Sequence, residues 1–231
     1  MKTFKALSLL LSYPSTDLQQ AMPAIRELLA AEGILAPAAV EALNPLLLSL
    51  ETGDLYDIQE RYVLLFDRSR TLSLNLFEHI HGESRDRGGA MVDLLATYRA
   101  AGFDLAASEL PDHLPVLLEF LSTRSLDEAR DILADAGHIL VALAERLVRR
   151  ESIYAPVLQA LTALSAADPA TEEAQALLTQ RDDNPEDLAA LDAVWEEAQV
   201  TFGPDRSAGC PSDTQPISIV RKNPAPAPAV R

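Results

Sequence analysis

Cysteine is almost missing from this chain, with one residue, Cys210, among 231. A single thiol excludes an intramolecular disulfide and any zinc site built on cysteines, and it fits a reducing compartment such as the cytoplasm. Aromatic residues are scarce at 5%. Leu and Ala therefore supply most of the 48% hydrophobic content, and both favour helix. No stretch approaches the ~20 consecutive apolar residues that cross a bilayer. The opening MKTFKALSLLLSY imitates a signal peptide, with Lys2 and Lys5 ahead of an apolar run. Ser8 interrupts that run and no small-x-small site follows, so it reads as a helix rather than an export signal. Also missing are the Gly-x-Ser-x-Gly elbow, the phosphate loop, His-Glu-x-x-His and the dinucleotide glycine fingerprint. There is no alternating strand pattern longer than a few residues and no repeat of fixed period.

Positive charge is short as well: 19 Lys and Arg stand against 35 Asp and Glu, a net of −16. The last segment, from Gly203, holds two acidic and four basic residues, a net of +2, so the body before it carries −18. Such a body repels phosphate backbones and anionic lipid, and argues against nucleic acid or a membrane surface as partner. It would attract a basic peptide or a cationic protein face.

What is present is helical periodicity. Phe4, Leu7, Leu10 and Leu11 share a face, and Tyr13-Pro14 stops that helix. Ser15 or Thr16 caps a second helix carrying Leu18, Met22, Ile25 and Leu29, with Gly33 as its stop. Pro23 inside it predicts a kink or two shorter helices. Residues 37–50 read as a helix with an interior Pro45. Asp54 caps a helix with Leu55, Ile58, Tyr62, Leu65 and Phe66 on one side. Further helices come around Met91–Tyr98, ending at Gly102, and over Leu114–Leu121. Ser125 and Glu128 have the form of a capping box, opening one long helix from Leu126 to Val148 whose final arginines, Arg146, Arg149 and Arg150, suit the helix dipole. Residues 152–165, 172–180 and 185–201 complete the set. The fold class is all-α, a single-domain helical bundle of about nine to eleven helices over residues 1–202. Residues 203–231, rich in Pro, Gly and Ser, read as a disordered tail.

One stretch is denser in chemistry than helix-building requires: YVLLFDRSRTLSLNLFEHIHGESRDRGGAM, from Tyr62 to Met91. It holds two of the four histidines. On a helix, His79 and His81 point about 200° apart, so both could hold one metal only if the helix ended by Ile80. The alternatives are core packing with a backbone hydrogen bond, or contact with a peptide or cofactor. Arg85, Asp86 and Arg87 read as an ion network fixing the next helix, with Ser84 as its N-cap, or as guanidiniums for a ligand carboxylate or phosphate. Asp67, Arg68 and Arg70 are candidates for the same network. Tyr62, Phe66 and Phe77 read as core or as the wall of a groove. Asp112 reads as the N-cap of the helix directly after it, and His113 as a titrating group without an evident partner.

That stretch, together with LPDHLPVLLEFL at Leu110–Leu121 and LLLSYPS at Leu9–Ser15, resembles the NarJ-type branch of the TorD/DmsD redox-enzyme maturation proteins. The resemblance implies a TorD-like, all-helical, cytoplasmic chaperone that is not an enzyme and has no cofactor of its own. Its implied client is the apo α (catalytic) subunit of respiratory nitrate reductase. The chaperone would bind the client's N-terminal leader or leader remnant before membrane attachment and assist molybdenum cofactor insertion, with molybdenum cofactor biosynthesis proteins as further partners. In the wider family an Asp-His pair ahead of a helix is linked to leader binding, and it matches Asp112 and His113. Where other branches carry Gly-Pro-Gly and Pro-Tyr-Glu-Ser elements, this chain has Asp67-Arg-Ser-Arg70 and Leu76-Phe-Glu-His79, which points to the nitrate reductase branch. The residues assigned to peptide contact are Tyr62, Phe66, Phe77, His79, His81, Glu83, Arg87, Asp112, His113 and Glu119. Two other readings of the chain are a metal- or cofactor-dependent enzyme built on His79 and His81, and a non-catalytic helical adaptor.

Overall fold

A computed structural model describes residues 1–82, 85–105, 109–180 and 182. Glu83, Ser84, the helix read over 185–201 and the tail from Gly203 lie outside these. The chain begins with a helical hairpin. Helix α1 (Lys2–Leu10) and helix α2 (Thr16–Glu32) pack against each other, and they run antiparallel because the last residue of α2 closes the first turn of α1. The Glu32 carboxylate accepts from the Lys2 backbone N–H at 2.9 Å and from the Thr3 hydroxyl at 2.6 Å. Burial opposes ionisation of Glu32, but the hydrogen bonds from Thr3 and Lys2 outweigh it and hold its carboxyl below the usual range. Helix α2 has its Ser15 cap, with the Leu18 N–H at 3.2 Å from Oγ, and ends at Gly33 in the left-handed region at φ 67°. It runs unbroken through Pro23, so of the two outcomes expected there, a kink or two shorter helices, the second does not occur. Pro23 lies on the exposed face, opposite Leu18, Met22, Ile25 and Leu29, so the hydrogen bond it removes is lost toward water.

Two stretches that read as continuous helix each divide. Residues 37–50 become α3 (Pro37–Ala42) and α4 (Asn44–Thr52). The break places Pro45 in the first turn of α4, where its missing N–H has no intrahelical acceptor to serve. The long helix expected from Leu126 to Val148 becomes α9 (Leu126–Asp135) and α10 (Gly137–Arg149). Apolar spacing continues across the break, which is why the sequence reads as one helix. The break has a tertiary neighbour: a Cβ added at Gly137 would lie 2.7 Å from the Cβ of Ala167. The capping box at the start of α9 forms as read, with Glu128 N–H to Ser125 Oγ at 3.3 Å and Ser125 N–H to Glu128 Oε2 at 3.0 Å.

Helix α5 (Leu55–Tyr62), capped by Asp54, passes into a π turn (Val63–Asp67) and a 3₁₀ turn (Arg70–Leu72). Then come α6 (Leu76–His81), α7 (Arg85–Ala100), α8 (Leu114–Leu121), α11 (Ala155–Ser165) and α12 (Glu172–Thr179). Helix α10 is central: Ile139, Leu140, Ala142 and Leu147 are fully buried, and it packs on α11 and α12. Each such leucine contributes roughly 1.5–3 kcal/mol. Arg146 is buried among them and does more than complement the helix dipole. Its guanidinium donates to the carbonyls of Thr71 at 2.8 Å and Leu177 at 2.6 Å, tying the 3₁₀ turn to α12. Arg150 adds an ion pair with Asp182 at 2.9 Å. The described residues are thus all-α, as the periodicity predicts.

Candidate binding cleft

The segment before α8 meets the segment before α6 in an isolated antiparallel bridge between Asn75 and His113. Leu114 N–H donates to the Leu74 carbonyl at 2.8 Å and Leu76 N–H donates to the Asp112 carbonyl at 3.0 Å. Asp112 has no exposed surface. Its Oδ2 accepts from the Phe77 backbone N–H at 3.0 Å and lies 3.8 Å from Arg87 Nη2, while Oδ1 is buried without a hydrogen-bond partner. Two expectations change here. Asp112 does not cap its own helix, since the N-cap position of α8 belongs to His113, which makes no side-chain cap bond. It caps α6 instead, whose own N-cap residue, Asn75, makes none. Arg87, expected to be held by its sequence neighbours, is paired with this distant carboxylate.

His79 and His81 are not brought together. Helix α6 continues through His81, so the two rings leave it on different sides. His79 Nε2 sits 2.8 Å from the Ser73 carbonyl oxygen. Burial pushes its pKa down, and the Ser73 carbonyl only partly opposes this. His81 rests edge-on against the Phe77 ring, with centroids 6.0 Å apart. Among the described residues no group of three or more His, Cys, Asp or Glu is placed to hold a metal ion.

Beside the bridge opens a cleft of about 410 Å³. One wall is Ser8 of α1 with Ser12 and Tyr13 just beyond its C-terminal end; the second is Tyr62 with Val63 and Asp67 of the π turn. Glu109, His113, Pro115, Val116 and Glu119 form the third. Tyr62 anchors the floor: its hydroxyl donates to the Leu11 carbonyl at 2.8 Å, and its ring meets Tyr13 edge-on at 5.6 Å. Burial pushes the Tyr62 phenol well above its ordinary pKa, and Tyr154, Glu109 and Asp67 add to the effect. Its hydroxyl therefore stays a neutral donor. His113 Nδ1 lies 3.4 Å from Glu109 Oε2 without hydrogen-bonding geometry. Burial lowers the His113 pKa against the opposing pull of Glu109 and Asp112, so the ring is neutral at ordinary pH. Glu119 is paired with Lys5 at 2.5 Å. With His113 neutral, the charge on the lining residues is entirely negative.

Of the residues assigned to peptide contact, Tyr62, His113 and Glu119 line the cleft. Phe66 is packed inside between Tyr62 and Tyr154, at 5.1 Å from each ring. Phe77, His79, His81, Arg87 and Asp112 are not among the cleft's lining residues, and Glu83 is outside the described residues. Ser8, Ser12, Tyr13, Glu109, Pro115 and Val116 line the cleft without standing out as contacts in the sequence. The signals available there are Tyr13, an aromatic in a chain poor in them, and the acidic residue four places before His113.

An all-α body opening into an acidic, tyrosine-walled cleft has the form of a binding protein. Residues 15–160 match the family described as nitrate reductase delta subunit. The chain is 46% identical over 205 residues to the nitrate reductase molybdenum cofactor assembly chaperone NarJ of Escherichia coli K12, covering 88% of this chain and 86% of the relative. It is 39% identical to the probable assembly chaperone NarW of the same organism, covering 94% and 90%. Against the probable NarJ of Bacillus subtilis it is 34% identical, covering 70% and 86%. The chain belongs to the nitrate reductase delta subunit family, as a NarJ-type assembly chaperone and not an enzyme. No helix among the described residues is long and apolar enough to cross a membrane.

Proposed function

We infer that this chain binds the N-terminal leader or leader remnant of the apo catalytic subunit of a respiratory nitrate reductase, in the cytoplasm and before membrane attachment, and assists molybdenum cofactor insertion. The observation that carries the reading is the cleft, whose lining charge is wholly negative and whose floor offers Tyr62 and Tyr13 as apolar surface. A short basic amphipathic segment suits it. Apolar side chains laid against the tyrosines, Val63, Pro115 and Val116 supply most of the affinity, while Asp67 and Glu109 speed the encounter and orient the segment. The relatives are named for assembly of the same enzyme, which supports nitrate reductase as client.

Cofactor chemistry belongs to the client on this reading, and the chaperone's part is to keep the subunit open to loading. Capture of full-length chain from cells respiring nitrate tests it. The dominant partner should be the catalytic subunit lacking its cofactor. Recovery of mature, cofactor-loaded enzyme alone would contradict it.

A further inference from the structure

We propose that Asp112 is a positioning residue that acts on bound client from behind the cleft wall, through α6 and His113, and never touches the client itself. The proposal rests on reading the cleft as the client site. Its grounds are three. First, the Asp112 side chain has no exposed surface and is not part of the cleft lining. Second, it is already engaged: Oδ2 takes the Phe77 N–H at 3.0 Å, and the Asp112 carbonyl takes the Leu76 N–H at 3.0 Å. One residue therefore satisfies two of the donors that a helix start leaves open, in a helix whose own N-cap side chain makes no such bond. Third, the two neighbours are held differently: Asp112 lies in a turn closed by the His113 N–H donating to the Leu110 carbonyl at 3.1 Å, whereas His113 is the bridge residue and lines the cleft.

The two neighbours thus divide one task. Asp112 fixes the register of the bridge and the start of α6, and His113 presents its ring to the cleft in the orientation the bridge dictates. The Asp112 side chain has no exposed surface, so a cation on the client could reach its carboxylate only if the residues covering it moved aside.

Substitution separates this from direct ion pairing. Asparagine keeps a cap oxygen and loses the charge, whereas alanine loses both. Full-length Asp112→Asn and Asp112→Ala are compared with wild type by amide hydrogen exchange at Leu76 and Phe77, and by titration with the client's N-terminal peptide at low and high salt. Asp112→Asn is expected to keep Phe77 protected, stay within about threefold of wild-type affinity and retain the wild-type salt dependence. Asp112→Ala is expected to speed exchange at Phe77 and weaken binding by about five- to tenfold. Should alanine prevent folding, the asparagine variant decides the matter alone through its salt dependence. The proposal is overturned if Asp112→Asn loses as much affinity as Asp112→Ala, with a flatter salt dependence and Phe77 still protected. It is equally overturned if alanine leaves Phe77 exchange unchanged. Wild-type protein that fails to bind the peptide overturns the cleft reading, and the exchange comparison still decides the cap.

Discussion

The Tyr62 hydroxyl donates to the Leu11 carbonyl at 2.8 Å, joining the end of α5 to the end of α1 at the floor of the cleft. The bond satisfies a carbonyl that the end of α1 leaves without an intrahelical partner. It also holds together two of the three cleft walls.

Removing that hydroxyl should therefore affect both stability and binding. Tyr62→Phe keeps the ring packing against Phe66 and Tyr154 but strands a buried acceptor, at a cost of about 1–3 kcal/mol. Urea unfolding should show a lower midpoint with an unchanged slope, and client peptide should bind more weakly. Unchanged values in both would show that the floor does not depend on this bond.

Arg146 predicts a larger loss. Its guanidinium reaches the carbonyls of Thr71 and Leu177, from a side chain that is 1% exposed. Arg146→Met should destabilise by about 2–4 kcal/mol, because both carbonyls lose a charged donor. Hydrogen exchange should accelerate first in α12 and around Thr71, ahead of the α1–α2 hairpin.

Two buried imidazoles set the pH response. His79 and His113 both have folded pKa values below the ordinary 6.5, burial being the larger cause in each. Between those lowered values and 6.5 the unfolded chain binds more protons than the folded one, so stability rises with pH across that window. The stabilisation is fully present above 6.5 and is lost as pH falls through the folded values. Urea midpoints measured across this range should fall on acidification, and His79→Gln should make the fall shallower. The opposite slope would mean the rings are charged in the folded protein.

Most helices were legible because their signals are local. Ser15, Asp54, Ser125 and Thr171 are side-chain caps at their own helix starts, and the apolar spacing names the buried faces of α1, α2 and α10. The division between α9 and α10 was not legible: the apolar period runs on through Ala136, and the close neighbour of Gly137 is Ala167, in the loop after α11 and distant in sequence. Asp112 shows the same limit at the site. An aspartate just ahead of a helix reads as that helix's cap, and only the bridge to Asn75 reveals that it serves α6. The cleft was legible in part, because Tyr62, His113 and Glu119 come from the conspicuous stretches, whereas Ser8, Ser12 and Tyr13 lie on or just past a helix that reads as ordinary core.

Calorimetric titration of the client's N-terminal peptide, about 15–20 residues long as suits a helix-in-groove segment, tests the central claim most directly. It should be run on wild type and on the double variant Asp67→Asn, Glu109→Gln. The Asp67 side chain has no ion-pair or hydrogen-bond partner among the described residues, Glu109 comes within ion-pair distance of His113 there, and both carboxylates disfavour ionisation of Tyr62 without bonding to it, so the variant should fold with stability within about 0.5 kcal/mol of wild type. Wild type should bind the peptide with nanomolar-to-micromolar affinity that weakens with salt, and the variant should bind more weakly with a flatter salt dependence. No heat and no competition with wild type, or a variant that binds as tightly and with the same salt dependence, would contradict it.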